Sequence, residues 1–513
     1  MIPESQRDIV RLLSREDGFG GGALSCQETH ISAIFISGDE VLKLKKAVTL
    51  PFLDFAPPEN RRAACEAELA LNRRTAPDLY LGITTVTREA DSSLALDGAG
   101  EAVEWLVHMR RFDQSTLFDR LAQEGRLDRH LLMDLAEDIA RFHRNAQPRP
   151  DQGGLSGMAW IIDNNLAASR PFSPSVFPAE ALENLAAASQ RWLRRLTPLL
   201  EERRAEGWVR LCHGDLHLGN ICLFQGRPTL FDAIEFSEMI ACIDTLYDLA
   251  FLLMDLEQRG LRRETSWVLN HYLDVTGDRG ALAALPFFLS CRAAIRAHVN
   301  AAIAAGEEGE AKAAREKLAR DYLDLATRYL HPPTPRLVAA GGLSGSGKSR
   351  LAREIAPYLG GKDACGPGAV VIRSDVLRKQ LAGIPLDQRL GPEGYTPEMS
   401  SRTYDALMTA ARKALADGQM VIADAVFARP EEREAIAAVA REAGVPFDGF
   451  WLHADPEVAA QRIRKRRRNV SDATPDVLER QLSYDIGPMR WQVIPSSGPK
   501  DKTVRTVRAS LGI

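Results

Sequence analysis

At 513 residues, with 45% hydrophobic and 26% charged side chains, the chain is too long for one core of ordinary size and has the mix of a soluble globular protein of roughly two or three domains. A formal net charge of -4 at pH 7 excludes a global pull toward nucleic acid or anionic membrane, while leaving room for a local basic patch. Seven cysteines, Cys26, Cys65, Cys212, Cys222, Cys242, Cys291 and Cys365, are odd in number and scattered, lack the C-x-x-C spacing of metal or redox motifs, and predict a reducing cytoplasm.

The N-terminus, MIPESQRDIVRLL, has neither a basic leader nor an apolar core, so no export signal is expected. A glycine cluster, DGFGGGA, comes before the first strand pattern and lacks the G-x-G-x-x-G order of a phosphate flap. Residues 27 to 46, QETHISAIFISGDEVLKLKK, alternate at period two around Gly38-Asp39 and predict a hairpin, followed by a helix over ENRRAACEAELALNRR. A longer, mainly helical stretch runs from about 113 to 330, interrupted by short strands and loops in LCHGDLHLGNICLFQGRPTLFDAIEF. The expected architecture is α+β and bilobal, with a small β-rich lobe to about residue 108 and a larger helical lobe after it. The most apolar run, ALAALPFFLSC, contains Pro286 and is expected to fall short of a membrane span.

The segment from His213 to Asn220, HGDLHLGN, places an aspartate five residues before an asparagine, the spacing of a phosphoryl-transfer catalytic loop. Asp215 is expected to accept an acceptor's hydroxyl proton and Asn220 to ligate Mg²⁺. Asp232 in TLFDAIEF, across a predicted hairpin, would supply the main metal carboxylate. Two other readings stand beside this one: a zinc site at His213 and His217, and a polar turn held by its own side-chain hydrogen bonds. The small lobe should then provide a lysine for the α/β-phosphates and a glutamate to hold it. Lys43 is preferred to Lys45 because it sits deeper in the strand, Glu68 is preferred to Glu66, and Met109 joins the nucleotide-contacting set. A strand lysine and a helix glutamate are also common as solvated residues.

HGDLHLGNI, FDAIEF and YDLAFLL resemble the aminoglycoside phosphotransferase family, a protein-kinase-like fold whose members also phosphorylate choline, homoserine, fructosamine and other small alcohols. ETHISAIFISGDEVLKLKK and ELALNRRTAPDLYLGI are similar to a bacterial branch of it that is fused to a P-loop kinase; together the likeness covers about residues 25 to 330. The resemblance implies Asp215 as base, Asn220 and Asp232 as metal ligands, and Asp248 as a buried prop for the catalytic loop.

Three prolines in LHPPTPR, after a long alanine- and charge-rich helix, mark a linker at 331 to 336 between domains at 1 to 330 and 337 to 513. Beyond it, RLVAAGGLSGSGKSRLAREIA reads as strand, glycine turn and helix. VVIRSD, QMVIADAVF and FDGFWLHA continue an alternation of strands and helices that predicts an α/β domain with a parallel sheet. Gly342 to Ser349 fits G-x-x-x-x-G-K-[ST]: Gly342, Ser344, Gly345, Ser346 and Gly347 would bring backbone N–H groups around phosphates, Lys348 a point charge, and Ser349 a hydroxyl for Mg²⁺. Asp375 and Arg378, one helical turn apart past a strand, suit an acceptor's proton and its orientation, or else an N-cap and a surface arginine. Asp424 ends a second strand, where a carboxylate can hold the metal's water shell. In QRIRKRRRNVSDA, Arg462 and Arg466 lie on one helical face and predict a lid over the transferring phosphoryl group; a nucleic-acid groove and a solvated face are the alternatives.

GGLSGSGKS, RSDVLRKQLAG, GYTPEMSSRTYDALMTAARKALADGQMVIADAVF and RIRKRRRNVSDA with Gln481 downstream are similar to the AAA-type P-loop kinases that include relatives of polynucleotide kinase, gluconate kinase, chloramphenicol phosphotransferase and the zeta toxins. That likeness implies Asp375 as base, Arg378 as acceptor contact and Arg462 with Arg466 as lid. Val426 and Asn469 depart from the threonine and aspartate usual there. The expectation is a cytoplasmic, bifunctional ATP- and Mg²⁺-dependent phosphotransferase acting on hydroxyl groups of small molecules. The other classes are a regulatory protein in which one domain only senses nucleotide, and a nucleic-acid 5′-end kinase. The complete D-x-x-x-x-N…D set favours catalysis, since a decayed kinase usually loses one of those groups.

Overall fold

Alternating side chains in the first hairpin build a two-faced sheet. The computed structural model describes residues 2–15, 19–20, 24–50, 53–361, 364–465 and 470–513, so most of the glycine cluster, Arg466 and Asn469 lie outside the described residues. The chain divides into two units, Met1–Met158 with Leu200–Leu252, and Ala159–Leu199 with Leu253–Ile513.

In the first unit, strands β1 (Leu24–Glu28), β2 (Ser32–Ser37), β3 (Glu40–Lys45), β4 (Tyr80–Arg88), β5 (Leu94–Leu96) and β6 (Glu101–Arg110) form an antiparallel sheet in the order β1-β2-β3-β6-β4-β5. The period-two pattern puts Phe35, Leu42 and Leu44 on one face with Ile9, Leu12 and Leu13. Ile36, Val41, Val107 and Met109 face the other way, toward Cys65 of helix α1 (Pro58–Asn72) and Tyr80. Lys43 and Lys45 share that second parity, which aims them at α1. Pro58 opens α1 at a position where its missing N–H costs nothing. A second hairpin, β7 (Ile221–Phe224) with β8 (Arg227–Leu230), follows the HGD loop and ends just before Asp232.

In the second unit, β9 (Leu337–Gly341), β10 (Val370–Arg373), β11 (Val421–Asp424), β12 (Phe447–His453) and β13 (Gln492–Pro495) make an all-parallel sheet, ordered β10-β11-β9-β12-β13. Its register sets Ala340 and Arg373 on either side of Asp424, so the carboxyl ends of three strands coincide. Val338, Leu351, Ile355, Ile422, Phe450 and Leu452 fill one core beneath it.

The helices from residue 253 to the prolines at 332–335 belong to the same unit as this sheet. Their polar side chains show why: Asn270 of helix α2 (Arg262–Thr276) donates to Ala369 O (3.1 Å) and accepts from Val371 N (2.7 Å), covering the edge strand β10. Arg262 of the same helix donates to Ala364 O at 2.9 Å.

One expectation is corrected. Pro286 stands in the first turn of helix α3 (Leu285–Ala304), where proline is tolerated, so the apolar run does not stop there. Leu282–Ala304 is long and apolar enough to cross a membrane by length and composition, and 67% of its most apolar window is buried within the fold.

Candidate active sites

In the first unit the strand lysines, a helix glutamate and the residues after β8 meet in one ion network. Lys43 Nζ donates to Glu68 Oε1 (2.8 Å) and to Asp232 Oδ1 (2.6 Å). Lys45 Nζ donates to the other oxygen of Glu68, Oε2 (2.7 Å), and to Glu235. Glu68 is fully buried; burial alone would raise its pKa, but the two ammonium groups outweigh it and hold the carboxyl down to about 2. Burial works against the charge of Lys43 too, yet Asp232 and Glu68 push its pKa well above the ordinary lysine value. Glu235, by contrast, is raised by burial despite the lysine beside it. Glu66 points elsewhere and pairs with Arg62 one turn away on the exposed face of α1.

The HGD loop lies next to this network in the chain's own path. Gly214 has φ +83°, a left-handed conformation that lets the loop turn, and Asp248 takes the backbone N–H groups of His213 and Gly214 at 3.0 Å each. Asn220 Nδ2 donates to Asp215 Oδ2 (2.9 Å) and to Asp215 O (3.0 Å), which leaves its amide oxygen as the group able to face a hard cation. Asp232 itself has φ +62°, and its N–H donates to the hydroxyl of the buried Tyr80 (3.1 Å); the next N–H, of Ala233, donates to Asn72 Oδ1 (2.9 Å).

The zinc alternative does not fit. His213 Nε2 contacts Phe231 O at 2.9 Å while its Nδ1 receives Asp215 N–H. His217 Nδ1 receives Gly219 N–H at 3.0 Å and its Nε2 lies 3.4 Å from Asp215, so neither ring presents a nitrogen to a metal. A buried trio of His143, Cys212 and Asp248 has ligand atoms within 4.8 Å of one another, but Asp248 is already occupied by the HGD loop and by His143 Nε2 (3.1 Å). Met109 packs in the apolar cluster with Val41, Tyr80 and Val107.

In the second unit the loop from Gly342 to Ser349 joins β9 to helix α4 (Lys348–Ile355). Gly342 and Gly345 have φ of +133° and +83°, and a Cβ on them would stand 2.4 Å from Leu452 O and 2.5 Å from Ala459 O, so no larger residue fits. Ser344 N–H donates to Gln481 Oε1 at 2.8 Å, and Lys348 Nζ lies over the loop, donating to Leu343 O at 3.1 Å. Helix α5 (Ser374–Ala382) starts from Arg373 as N-cap, which places Asp375 inside the first turn rather than at the cap.

Arg378 is not a surface arginine: it is 9% exposed, donates to Gly394 O at 2.8 Å, and lies over the ring of Tyr395. Its buried neighbour Lys379 donates to Leu386 O (3.0 Å) and Asp472 Oδ1 (3.2 Å), tying the segment after the basic run to the loop beside Arg378. Arg462 of helix α6 (Pro456–Arg464) donates to Ser496 O at 2.7 Å; burial, then Arg350, lowers its pKa. The structure brings Ser344, Gly345, Ser346, Gly347, Lys348, Ser349, Asp375, Arg378, Asp424 and Arg462 to the wall of one cavity of about 1680 Å³, with Val426 among its lining residues. Arg466 falls outside the described residues.

Asn72 and Tyr80 in ELALNRRTAPDLYLGI and Glu235 in FDAIEF lie in strings that carry the resemblance, but no role follows for them from the sequence; their buried side chains beside Asp232 and Lys45 add them to the first site.

Residues 45–285 match the model of the phosphotransferase enzyme family, and residues 337–484 match that of an AAA domain. Uncharacterized proteins of Mycobacterium tuberculosis and Mycobacterium bovis are each 30% identical to this chain over 496 residues, covering 94% of both partners. Among solved structures, a gluconokinase from Sinorhizobium meliloti 1021 is 23% identical, covering 35% of this chain and 93% of its own with a TM-score of 0.25. A choline/ethanolamine kinase family protein from Mesorhizobium loti is 11% identical, covering 64% and 98% with a TM-score of 0.37. With matches to both models and two near full-length relatives, the chain belongs to the family in which an aminoglycoside phosphotransferase-type domain is followed by an AAA-type P-loop kinase domain, and it is an enzyme of kinase type.

Proposed function

We propose that the chain is a bifunctional phosphotransferase of the cytoplasm, with two separate ATP·Mg²⁺ sites that each phosphorylate a hydroxyl group of a small molecule. The observation that carries this reading is the meeting of Lys43 with both Glu68 and Asp232 in a chain that also holds a complete P-loop. Unlike Lys45, whose partners Glu68 and Glu235 are both buried, Lys43 reaches an Asp232 side chain that is 46% exposed and so open to a ligand. Asn220 and Asp232 offer the hard oxygen donors that suit Mg²⁺, and the crowded glycines at 342 and 345 fit the tight backbone turn of a phosphate-binding loop.

ATP, when bound, supplies the phosphoryl group. In the first unit Lys43 would neutralise the α/β-phosphates, Asn220 and Asp232 hold the metal, and Asp215 take the hydroxyl proton. In the second, backbone N–H groups and Lys348 would cradle the phosphates, Ser349 and Asp424 attend the metal, Asp375 take the proton, Arg378 orient the acceptor, and Arg462 cover the transferred group.

The test is turnover of radiolabelled ATP with a metabolite extract and with oligonucleotides, comparing wild type, Lys348→Ala, Asp215→Asn and the double variant. Each single change should remove a different subset of labelled products, and the double change all of them. Loss of every product with Lys348→Ala alone defeats the two-site reading, and labelled oligonucleotides would favour the 5′-end kinase.

A further inference from the structure

Asp424 ends β11 at 4% exposure, and a carboxylate that deep needs a cation nearby to stay ionised and oriented. Arg373, opposite it on the neighbouring strand, supplies that charge: Arg373 Nε lies 3.6 Å from Asp424 Oδ2. The same guanidinium reaches the other way, with Nη1 at 3.6 Å from Oδ2 of Asp274, near the C-terminal end of α2. Asp274 is in turn 3.7 Å from Arg279 Nη2. Asp424, Arg373, Asp274 and Arg279 thus form a row of alternating charges, each 12% exposed or less.

These separations are ion pairs just beyond hydrogen-bond reach. Among the described residues, Arg373 Nε, Asp274 Oδ1 and Arg279 Nη2 have no hydrogen-bond partner. The guanidinium therefore stands 3.6 Å from a carboxylate on either side, with Nε facing Asp424 at ion-pair distance and Asp274 exerting the stronger pull. Burial opposes the charge of Arg373, but Asp274, Asp424 and Asp375 more than offset it and raise its pKa. Burial likewise raises that of Asp274, against the pull of Arg373, Arg279 and His271. Two of the four residues, Asp274 and Arg279, precede the proline linker and lie in the stretch that matches the phosphotransferase family.

We propose that Arg373 is a positioning residue for the metal-holding carboxylate of the P-loop site, and that Asp274 sets how strongly Arg373 pulls on it. The proposal rests on the reading of Asp424 as that carboxylate. Shared between Asp274 and Asp424, the guanidinium orients Asp424 yet leaves its oxygens available to the water shell of Mg²⁺. Without Asp274, Arg373 closes on Asp424, makes the hydrogen bond now withheld, and competes with the cation. Without Arg279, Asp274 draws Arg373 away and the competition weakens. The helices before the linker thereby tune the metal demand of the domain after it.

The experiment titrates MgCl₂ against binding of a fluorescent ATP analogue (mant-ATP) to the full chain, in an Asp232→Asn background that silences the first metal site. Asp274→Asn should raise the half-saturating Mg²⁺ concentration about three- to tenfold, and Arg279→Gln should lower it a few-fold. Adding Arg373→Met to Asp274→Asn should return the curve to the background value or below, a rescue that a merely structural contact would not give. An Asp274→Asn curve that coincides with the background curve overturns the proposal, as does a double variant that needs more Mg²⁺ than Asp274→Asn alone. Should circular dichroism show Asp274→Asn unfolded, Arg279→Gln decides: a curve that does not move to lower Mg²⁺ overturns it. Failure of the underlying reading is visible separately, as Lys348-dependent nucleotide binding that is indifferent to Asp424→Asn.

Discussion

Lys43 and Lys348 are expected at the same post, beside the phosphates of a nucleotide, and the two units hold them by opposite means. Lys43 is fixed by carboxylates 25 and 189 residues away in sequence, one of them fully buried. Lys348 begins a helix directly after its own loop, whose turn is made by glycines at positive φ. The carboxylates expected to hold metal differ in the same sense: Asp232 is 46% exposed on a left-handed turn, whereas Asp424 is 4% exposed at the end of a regular strand. A site made of side-chain charge must be assembled by the tertiary fold and is part of its stability. One made of backbone N–H groups is written in consecutive residues and can lose its lysine with the fold intact.

The largest effects should come from the two expected bases. Asp375→Asn and Asp215→Asn should each lower acceptor phosphorylation by their own unit by about 10²- to 10⁴-fold, while thermal protection by Mg·ATP persists. Both falling would show that two different scaffolds do the same chemistry. If only one falls, the other unit is a binder, and the comparison is one between an enzyme and a sensor.

Next comes the contrast in stability. Glu68→Ala leaves two ammonium groups side by side, that of Lys45 fully buried, and should destabilise the first unit by about 3–5 kcal/mol, read as a lowered unfolding midpoint in calorimetry. Lys348→Ala should change stability by no more than about 0.5 kcal/mol. Comparable losses in the two variants would erase the distinction drawn above.

The pH dependence follows from the same network. Glu68 is held at about 2 in the fold against an ordinary 4.5, so its contribution is complete above pH 4.5 and is lost as pH falls from 4.5 toward 2. The deficit of Glu68→Ala relative to wild type should therefore be flat near neutrality and narrow in acid.

How far the sequence could be read follows the same division. HGDLHLGN and GLSGSGKS are contiguous, so the spacing of Asp215 and Asn220, and the glycines that only glycine can satisfy, were visible as strings. Four strands of the parallel sheet were equally legible, because each is an apolar run followed by a helix, whereas β13, with only Ile494 buried, has no such run. The choice between Lys43 and Lys45 was harder: both share one strand face and both reach Glu68, and what separates them is Asp232 on one side and Glu235 on the other. Nor could any local pattern show that Asn270 covers the edge of β10, since that contact spans about a hundred residues and depends on how α2 docks.

The smallest effect concerns the backbone under Asp232. A left-handed conformation at a non-glycine residue costs roughly 1–2 kcal/mol, so something must hold Asp232 there. Two fully buried side chains do: Tyr80 accepts the N–H of Asp232 and Asn72 that of Ala233, while Asn72 is itself anchored by donating to Glu68 O at 2.9 Å. Tyr80→Phe keeps the ring in the core and removes only the acceptor, orphaning one backbone N–H at a cost of about 1–3 kcal/mol. Part of that cost should appear as a looser Asp232, raising the half-saturating Mg²⁺ concentration of the first site by about three- to tenfold with little change in rate at saturating Mg²⁺. The counterpart in the second unit is Gln481, which accepts the N–H of Ser344. Gln481→Leu loosens the phosphate loop rather than a metal ligand, so it should weaken nucleotide affinity at all Mg²⁺ concentrations alike. Measuring Mg²⁺ curves for both variants, each with the other site silenced, separates the two designs: a Tyr80→Phe chain that melts earlier but keeps the wild-type Mg²⁺ curve would make its hydroxyl a packing feature alone, and the metal turn would then owe its shape to Asn72.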